Sequence, residues 1–266
     1  AEHGIKASAQ TSKGSVDNIN SVLAGNIQFG IAQSDAQFNA VKGLAAWEGN
    51  PQQGIRSVFS LHPESVTLVA AVDSGINSLA DLAGKRVNLG EPGSGTRGNA
   101  EAVLKAAGIE QSALAAAEGL NAKEAPRVLQ DDRIDAFFYT VGHPAGAIEE
   151  ATSGTRALKF VSITGMDDLL AQYPYFRKTT IDKELYPRAE GENAETFGFI
   201  TPVVTSSEVP DDVVYHVVKS IFENLESYKK KQPALQNLKA EEMAKGGTAP
   251  LHPGAERYYR EAGLIE

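Results

Sequence analysis

The 266-residue chain has no cysteine. Disulfides, thiolate catalysis and cysteine-based zinc sites are therefore excluded. Such a chain suits the cytosol and the periplasm equally. No run approaches the ~18 consecutive apolar residues that a membrane-spanning helix needs. The opening AEHGIKASAQ has no apolar segment of the signal-peptide kind. The protein is thus expected to be cytosolic, or to have lost a leader. Positive charge is also short: the net charge is -9, which argues against a nucleic-acid-coating surface. One local cationic site for an anionic ligand stays compatible with that balance. Apolar residues make up 42% of the chain, enough for the core of one large domain or two modest ones. There is no internal repeat and no low-complexity run.

Apolar periodicity switches repeatedly between about 3.6 and 2. SVDNINSVLAGN predicts a helix with Ile19, Val22 and Leu23 on one face, Ser15 as N-cap and Gly25 as its stop. A strand is expected at 27–32. Ser34 and Gln37 then stand at capping-box spacing for a second helix. VTLVAAV (66–72) reads as a buried strand. A short helix opened by Ser78 and a strand at 87–89 follow. Ala100, Val103, Leu104 and Ala107 mark a helix ended by Gly108. NAKEAPRVLQ is weakly helical around Pro126. Strands are expected at 134–139, in LKFVSI and in FGFITPVVT. Pro210, Asp211 and Asp212 open a helix over 210–228 with an apolar stripe from Val214 to Leu225. A last helix is expected in PGAERYYREAG. This alternation predicts an α/β fold with mainly parallel sheets, whose ligands sit beyond the carboxyl ends of strands. Three strands end in polar or glycine-bearing loops: AQSD, GEPGSGTR and YTVGHP.

The chemistry is narrowed by elimination. GEPGSGTR lacks the Gly-Lys-Ser/Thr ending of a phosphate-binding loop, and GSGTRG matches a dinucleotide turn only weakly, with no ribose-binding acid to follow. Gly93 directly before Ser94 breaks the spacing of a nucleophile elbow. His3, His62, His143, His216 and His252 lie in no metal-ligand spacing. His216 reads as a surface residue; His143, at a strand end, is either a pocket residue or a helix cap. No metal, cofactor or general-acid pair is marked. What fits the GSGTR turn is anion capture. Ser94 and Thr96 offer hydroxyls, Gly93 and Gly95 let the backbone approach, and Arg97 offers a bidentate fork. The alternatives are ordinary capping for Ser94 and Thr96 and a solvated surface for Arg97.

TSKGSVDNINSVLAGNIQFGIAQSD, DSGINSLADLAGKRVNLGEPGSGTRGNAEAVLKAAG, RIDAFFYTVGHP, VTSSEVPDDVVYHVVKSIFENL and PLHPGAERYYREAG span most of the chain. Together they resemble the TAXI receptors, the solute-binding proteins of TRAP transporters. The pairing of GSGTR with LHPGAERYYREAG is the specific part. SLADLAGKRV occurs across many type II periplasmic binding proteins. The resemblance implies a two-lobed type II periplasmic-binding-protein fold, with mixed or parallel sheets joined by hinge strands. It implies one lobe from 1–76 and 166–266, another from 77–165, and a ligand cleft between them. It also implies a periplasmic or extracytoplasmic receptor, its leader removed. Such a receptor passes a small carboxylate, such as glutamate or a related amino or oxo-acid, to a TRAP permease. A monomer without enzymatic activity, cofactor or nucleic-acid partner is expected. A sensory module of the same fold is the alternative, and an α/β enzyme the third reading.

Relatives open with a strand and a glycine- and tyrosine-bearing turn before the segment that begins here, so contacts from that turn are expected in addition. Lys13 stands where relatives tend to have glycine; it sits at the pocket mouth or points to solvent. The candidate ligand contacts are Thr11, Ser15, Gln33, Ser34, Asp35, Ser94, Gly95, Thr96, Arg97, Phe138, Tyr139 and Val141.

Overall fold

The computed structural model describes residues 6–173, 175–230, 235–236, 238–245 and 247–266; His3 lies outside them. The chain forms two compact units. The first holds the residues up to His62 together with Ile200–Glu266, and the second holds Pro63–Phe199. The expected boundaries at 76/77 and 165/166 therefore differ from the observed ones. Residues 63–76 and 166–199 belong to the second unit, because two long strands carry the chain across. These are β2 (Ile55–Ala71) and β8 (Ala194–Ser206). Only 66–72 is expected as a strand in the first of these; upstream of it stands Pro63, which has no ladder donor. β2 nevertheless runs for 17 residues through it.

The first unit opens with α1 (Ser15–Leu23), β1 (Phe29–Ile31) and α2 (Ser34–Lys42), and then enters β2. Gly14, not Ser15, is the N-cap of α1. Gln33, not Ser34, is the N-cap of α2, and no capping box forms there. Gln37 is spent elsewhere: its amide donates to Ala32 O and accepts from Ser57 Oγ. β1 pairs antiparallel with the later part of β8, Gly30 opposite Val204.

The second unit adds β3 (Arg86–Asn88), α3 (Gly95–Ala106), β4 (Ala116–Glu118) and α4 (Ala125–Gln130). It continues with β5 (Ala136–Val141), α5 (Gly146–Thr152), β6 (Leu158–Phe160), α6 (Asp167–Gln172) and β7 (Arg177–Ile181). The predominance of parallel pairing is corrected: the sheet is mixed. β3 pairs parallel with β4 and β5. β2 is antiparallel to both β5 and β6, and β7 is antiparallel to β8. The period of two divides β5 between two cores. Ala136 and Phe138 join Leu68, Val103 and Phe197 in one. Phe137 joins Val69, Ile148 and Tyr186 in the other, with Tyr139 and Val141 packed against it.

The chain returns through β8 to α7 (Asp211–Glu223), α8 (Leu225–Lys229), α9 (Ala240–Met243) and α10 (Pro253–Glu261). The single helix expected over 210–228 is two, divided at Asn224 (φ -110). Val214, Val218 and Phe222 bury its stripe with Tyr258 and Tyr259 of α10. His216 is half-buried rather than on the surface. The PLHPG motif is a packing device. His252, fully buried, caps α10 by accepting at Nδ1 from Gly254 N (3.1 Å) and donates its ring proton from Nε2 to Val209 O (3.0 Å). Gly254 has no Cβ because one would stand 2.2 Å from Asp211 O, so α10 lies directly on the start of α7. No helix among the described residues is long and apolar enough to cross a membrane.

Candidate anion site

The glycine-rich turn begins where β3 ends. Asn88, 1% exposed, stitches it in place. Its Oδ1 accepts from Leu120 N (2.7 Å) and Gly90 N (3.4 Å), and its Nδ2 donates to Leu120 O (3.2 Å). Gly90 has φ 96, a region L side chains avoid. A Cβ there would also press within 2.9 Å of Thr96 Cγ2. Ser94 is the N-cap of α3: its Oγ accepts from Arg97 N (3.1 Å) and donates to Glu91 O (2.8 Å). Gly95 starts the helix and is buried. Thr96 Oγ1 accepts from Thr140 N on β5 (3.1 Å). Because β3 and β5 are parallel, their carboxyl ends lie together, and α3 starts between them.

Capping thus accounts for the Ser94 hydroxyl, and a strand amide for that of Thr96. One polar group at this place is unaccounted for. Thr140 is 5% exposed, and its hydroxyl is buried with no hydrogen-bond partner among the described residues. Such an orphan costs ~1–3 kcal/mol and marks a position where a ligand group can repay that cost. The first turn of a helix leaves backbone N–H groups without intrahelical partners and carries a positive dipole end. That of α3 contains no acidic residue. Anion chemistry fits these features.

Arg97 is placed differently from the sequence expectation. Its Nε donates to Glu101 Oε1 (2.6 Å) and its guanidinium also donates to Gln111 Oε1 (3.2 Å). The i,i+4 pair draws the fork along the flank of α3 instead of offering it at the turn. Phe138, 2% exposed, is a core side chain on the sheet face it shares with Thr140, whereas Tyr139 and Val141 lie on the other face. Tyr139 is half-buried, and burial, reinforced by Glu64, raises its pKa.

In the first unit, Ser15 Oγ accepts from Gln33 N (3.2 Å), which brings the first residues of α1 and α2 together. Ser34 Oγ donates to Ile200 O (2.5 Å), and Thr248 Oγ1 donates to Ser34 O (2.5 Å). Asp35, 8% exposed, already places a carboxylate in the first turn of α2. That dipole end is matched from within, unlike the one of α3. Thr201, 1% exposed, also carries a buried hydroxyl without a hydrogen bond among the described residues. Thr11 and Lys13 are exposed, with Lys13 N donating to Asp17 (3.2 Å).

Asn88, Thr140 and Thr201 were not among the sequence candidates. An asparagine at the end of β3, just before the glycine-rich turn, and a threonine at a core-facing position of β5 were the available signals. A separate pocket of about 390 Å³ lies in the second unit between α6 and the β7–β8 pair, lined in part by Met166, Leu170, Lys178, Glu195 and Phe197. None of the sequence candidates lines it. No cluster of three or more metal-ligating side chains occurs among the described residues.

Among solved structures, the chain is similar to the periplasmic aliphatic sulphonate binding protein SsuA from Escherichia coli, at 14% identity and TM-score 0.48, covering 93% of this chain and 79% of that one. It is similar to the substrate binding protein of an amino acid ABC transporter, at 18% identity and TM-score 0.45, covering 86% and 79%. A third is the GluR0 ligand-binding core from Nostoc punctiforme in complex with L-glutamate, at 16% identity and TM-score 0.44, covering 83% and 79%. A family model matches nearly end to end, over residues 1–263, and the chain belongs to the NMT1-like family.

Proposed function

We propose that this protein is an extracytoplasmic solute-binding receptor that captures a small anion at the start of α3 and delivers it unchanged to a membrane permease. In its finer form the reading is a TAXI-type receptor of a TRAP transporter, whose ligand is a carboxylate such as glutamate or a related amino or oxo-acid. The observation that carries it is the Thr140 hydroxyl, buried and unpaired among the described residues beside a helix whose first turn holds no acid. A carboxylate there accepts from the hydroxyl and from backbone N–H groups, with no rearrangement of the turn. Asn88 and Gly90 hold that turn beforehand, which lowers the ordering cost of binding.

The test is a thermal-shift and calorimetric series on the purified chain with L-glutamate, 2-oxoglutarate, succinate and ethanesulfonate. A ligand present at 100 times its Kd adds about 2.7 kcal/mol of stability. The expected result is a shift from at least one carboxylate and loss of most of it in Thr140→Val. If no carboxylate or sulfonate shifts the melting temperature, the receptor reading falls. A shift undiminished in Thr140→Val moves the anion away from α3.

A further inference from the structure

A hydrogen-bonded chain in the second unit runs in one direction only. Ala145 N–H donates to Tyr186 Oη (2.8 Å), so that oxygen is an acceptor there. The Tyr186 proton then goes to His143 Nδ1, 2.6 Å away. An accepting Nδ1 puts the ring proton on Nε2, which lies 2.9 Å from Thr67 Oγ1. Thr67 in turn donates to Ser65 O (3.2 Å). The opposite tautomer would aim Nδ1–H at an oxygen already accepting from Ala145 and would turn the Thr67 proton away from Ser65. The chain ends on β2 at the residues that face the end of β5: Ser65 opposite Val141, Val66 opposite Thr140, Thr67 opposite Tyr139.

We propose that His143 is a positioning residue for the anion site: neutral, with its proton on Nε2, it locks the end of β5 onto β2 and so sets the Thr140–Thr96 contact at the start of α3. This rests on the receptor reading for what the contact serves, but the lock itself is a property of the free protein. A second proton on the ring breaks the lock. Nδ1–H then points at Tyr186 Oη, whose own proton must turn away from the ring. Burial already opposes that proton, holding His143 down at about 4. The surrounding charged and titratable groups act on its neighbours: Glu149 of α5 and Tyr139 of β5 on Tyr186, and Glu64 of β2 on Tyr139.

The experiment uses the full chain without ligand. Long-range 1H–15N imidazole spectra report the tautomer and charge of His143. Amide exchange, corrected for intrinsic pH dependence, reports Thr140 and Ala145. The expected result is a neutral Nε2–H ring at pH 6, with protection at both amides falling together by at least tenfold as His143 titrates. His143→Gln, which keeps a donor toward Thr67, should hold Thr140 protection flat across the same pH range, and His143→Ala should lose it. An Nδ1–H tautomer, a charged ring at pH 6, or Thr140 protection unchanged in His143→Ala overturns the proposal. L-glutamate titrated into the same variants separates the two readings: absence of binding in wild type counts against the receptor, while the exchange data alone decide the lock.

Discussion

Replacing Thr140 by valine keeps the shape of the side chain and removes its orphaned hydroxyl. The substitution is expected to leave stability unchanged or to raise it by about 1–3 kcal/mol, since an unsatisfied buried group disappears. Anion affinity should fall at least tenfold, the equivalent of about 1.4 kcal/mol. Urea unfolding and calorimetry on one preparation check both; a destabilised variant with normal affinity would assign Thr140 to the core alone. Arg97 is expected to behave oppositely. Its i,i+4 pair with Glu101 is partly exposed, and such pairs contribute ~0.3–0.5 kcal/mol. Arg97→Ala should therefore change stability by less than about 1 kcal/mol and leave carboxylate affinity within about threefold of wild type, less than the tenfold per 1.4 kcal/mol that a lost binding contact gives. A loss of thirtyfold or more would show that the guanidinium leaves Glu101 for the ligand.

The contact between α7 and α10 is decided by one missing atom. Gly254→Ala puts a methyl 2.2 Å from Asp211 O and 3.0 Å from Tyr215 N, both backbone atoms that cannot turn aside. Overpacking of this kind costs ~1–3 kcal/mol or more, read as a lower urea midpoint with an unchanged slope. An alanine variant as stable as wild type would mean that the helices separate freely. Helical stripes such as Val214, Val218 and Phe222, and strands such as 134–139, were legible because burial imposes a period on the sequence. The turn at Gly93–Thr96 was legible because glycine, serine and threonine there have local conformational reasons. What Arg97 faces was not legible, since Glu101 and Gln111 compete with any ligand only once the helix exists. Asn88 and Thr140 were missed because their partners, Leu120 and Thr96, lie 32 and 44 residues away. The Ser15 and Ser34 caps were each misplaced by one residue, because Gly14 and Gln33 adopt the cap geometry without a side-chain bond.

Across the whole molecule, acid sensitivity follows from its histidines. Burial lowers His62, His143 and His252, the second to about 4. The unfolded chain, with histidines near 6.5, therefore binds more protons than the folded one between about 6.5 and about 4. Stability from these groups is complete above that window and falls as pH drops through it. Urea unfolding from pH 8 to pH 4 should show a plateau and then a decline, absent if the three rings titrate normally.

The two crossings within β2 and β8 also have a consequence in time. A ribosome delivers Pro63–Phe199 as one uninterrupted stretch, whereas the first unit waits for residues beyond 199 before its two halves can meet. The inserted unit can close while its host is still in pieces, and residues up to His62 spend that interval with apolar side chains such as Ile19, Ile55 and Phe59 unburied. Nascent chains stalled far enough downstream for residue 199 to clear the ribosomal exit tunnel should accordingly show a protease-resistant core confined to 63–199; a core that appears only with the full chain would mean that the insert needs its host to fold.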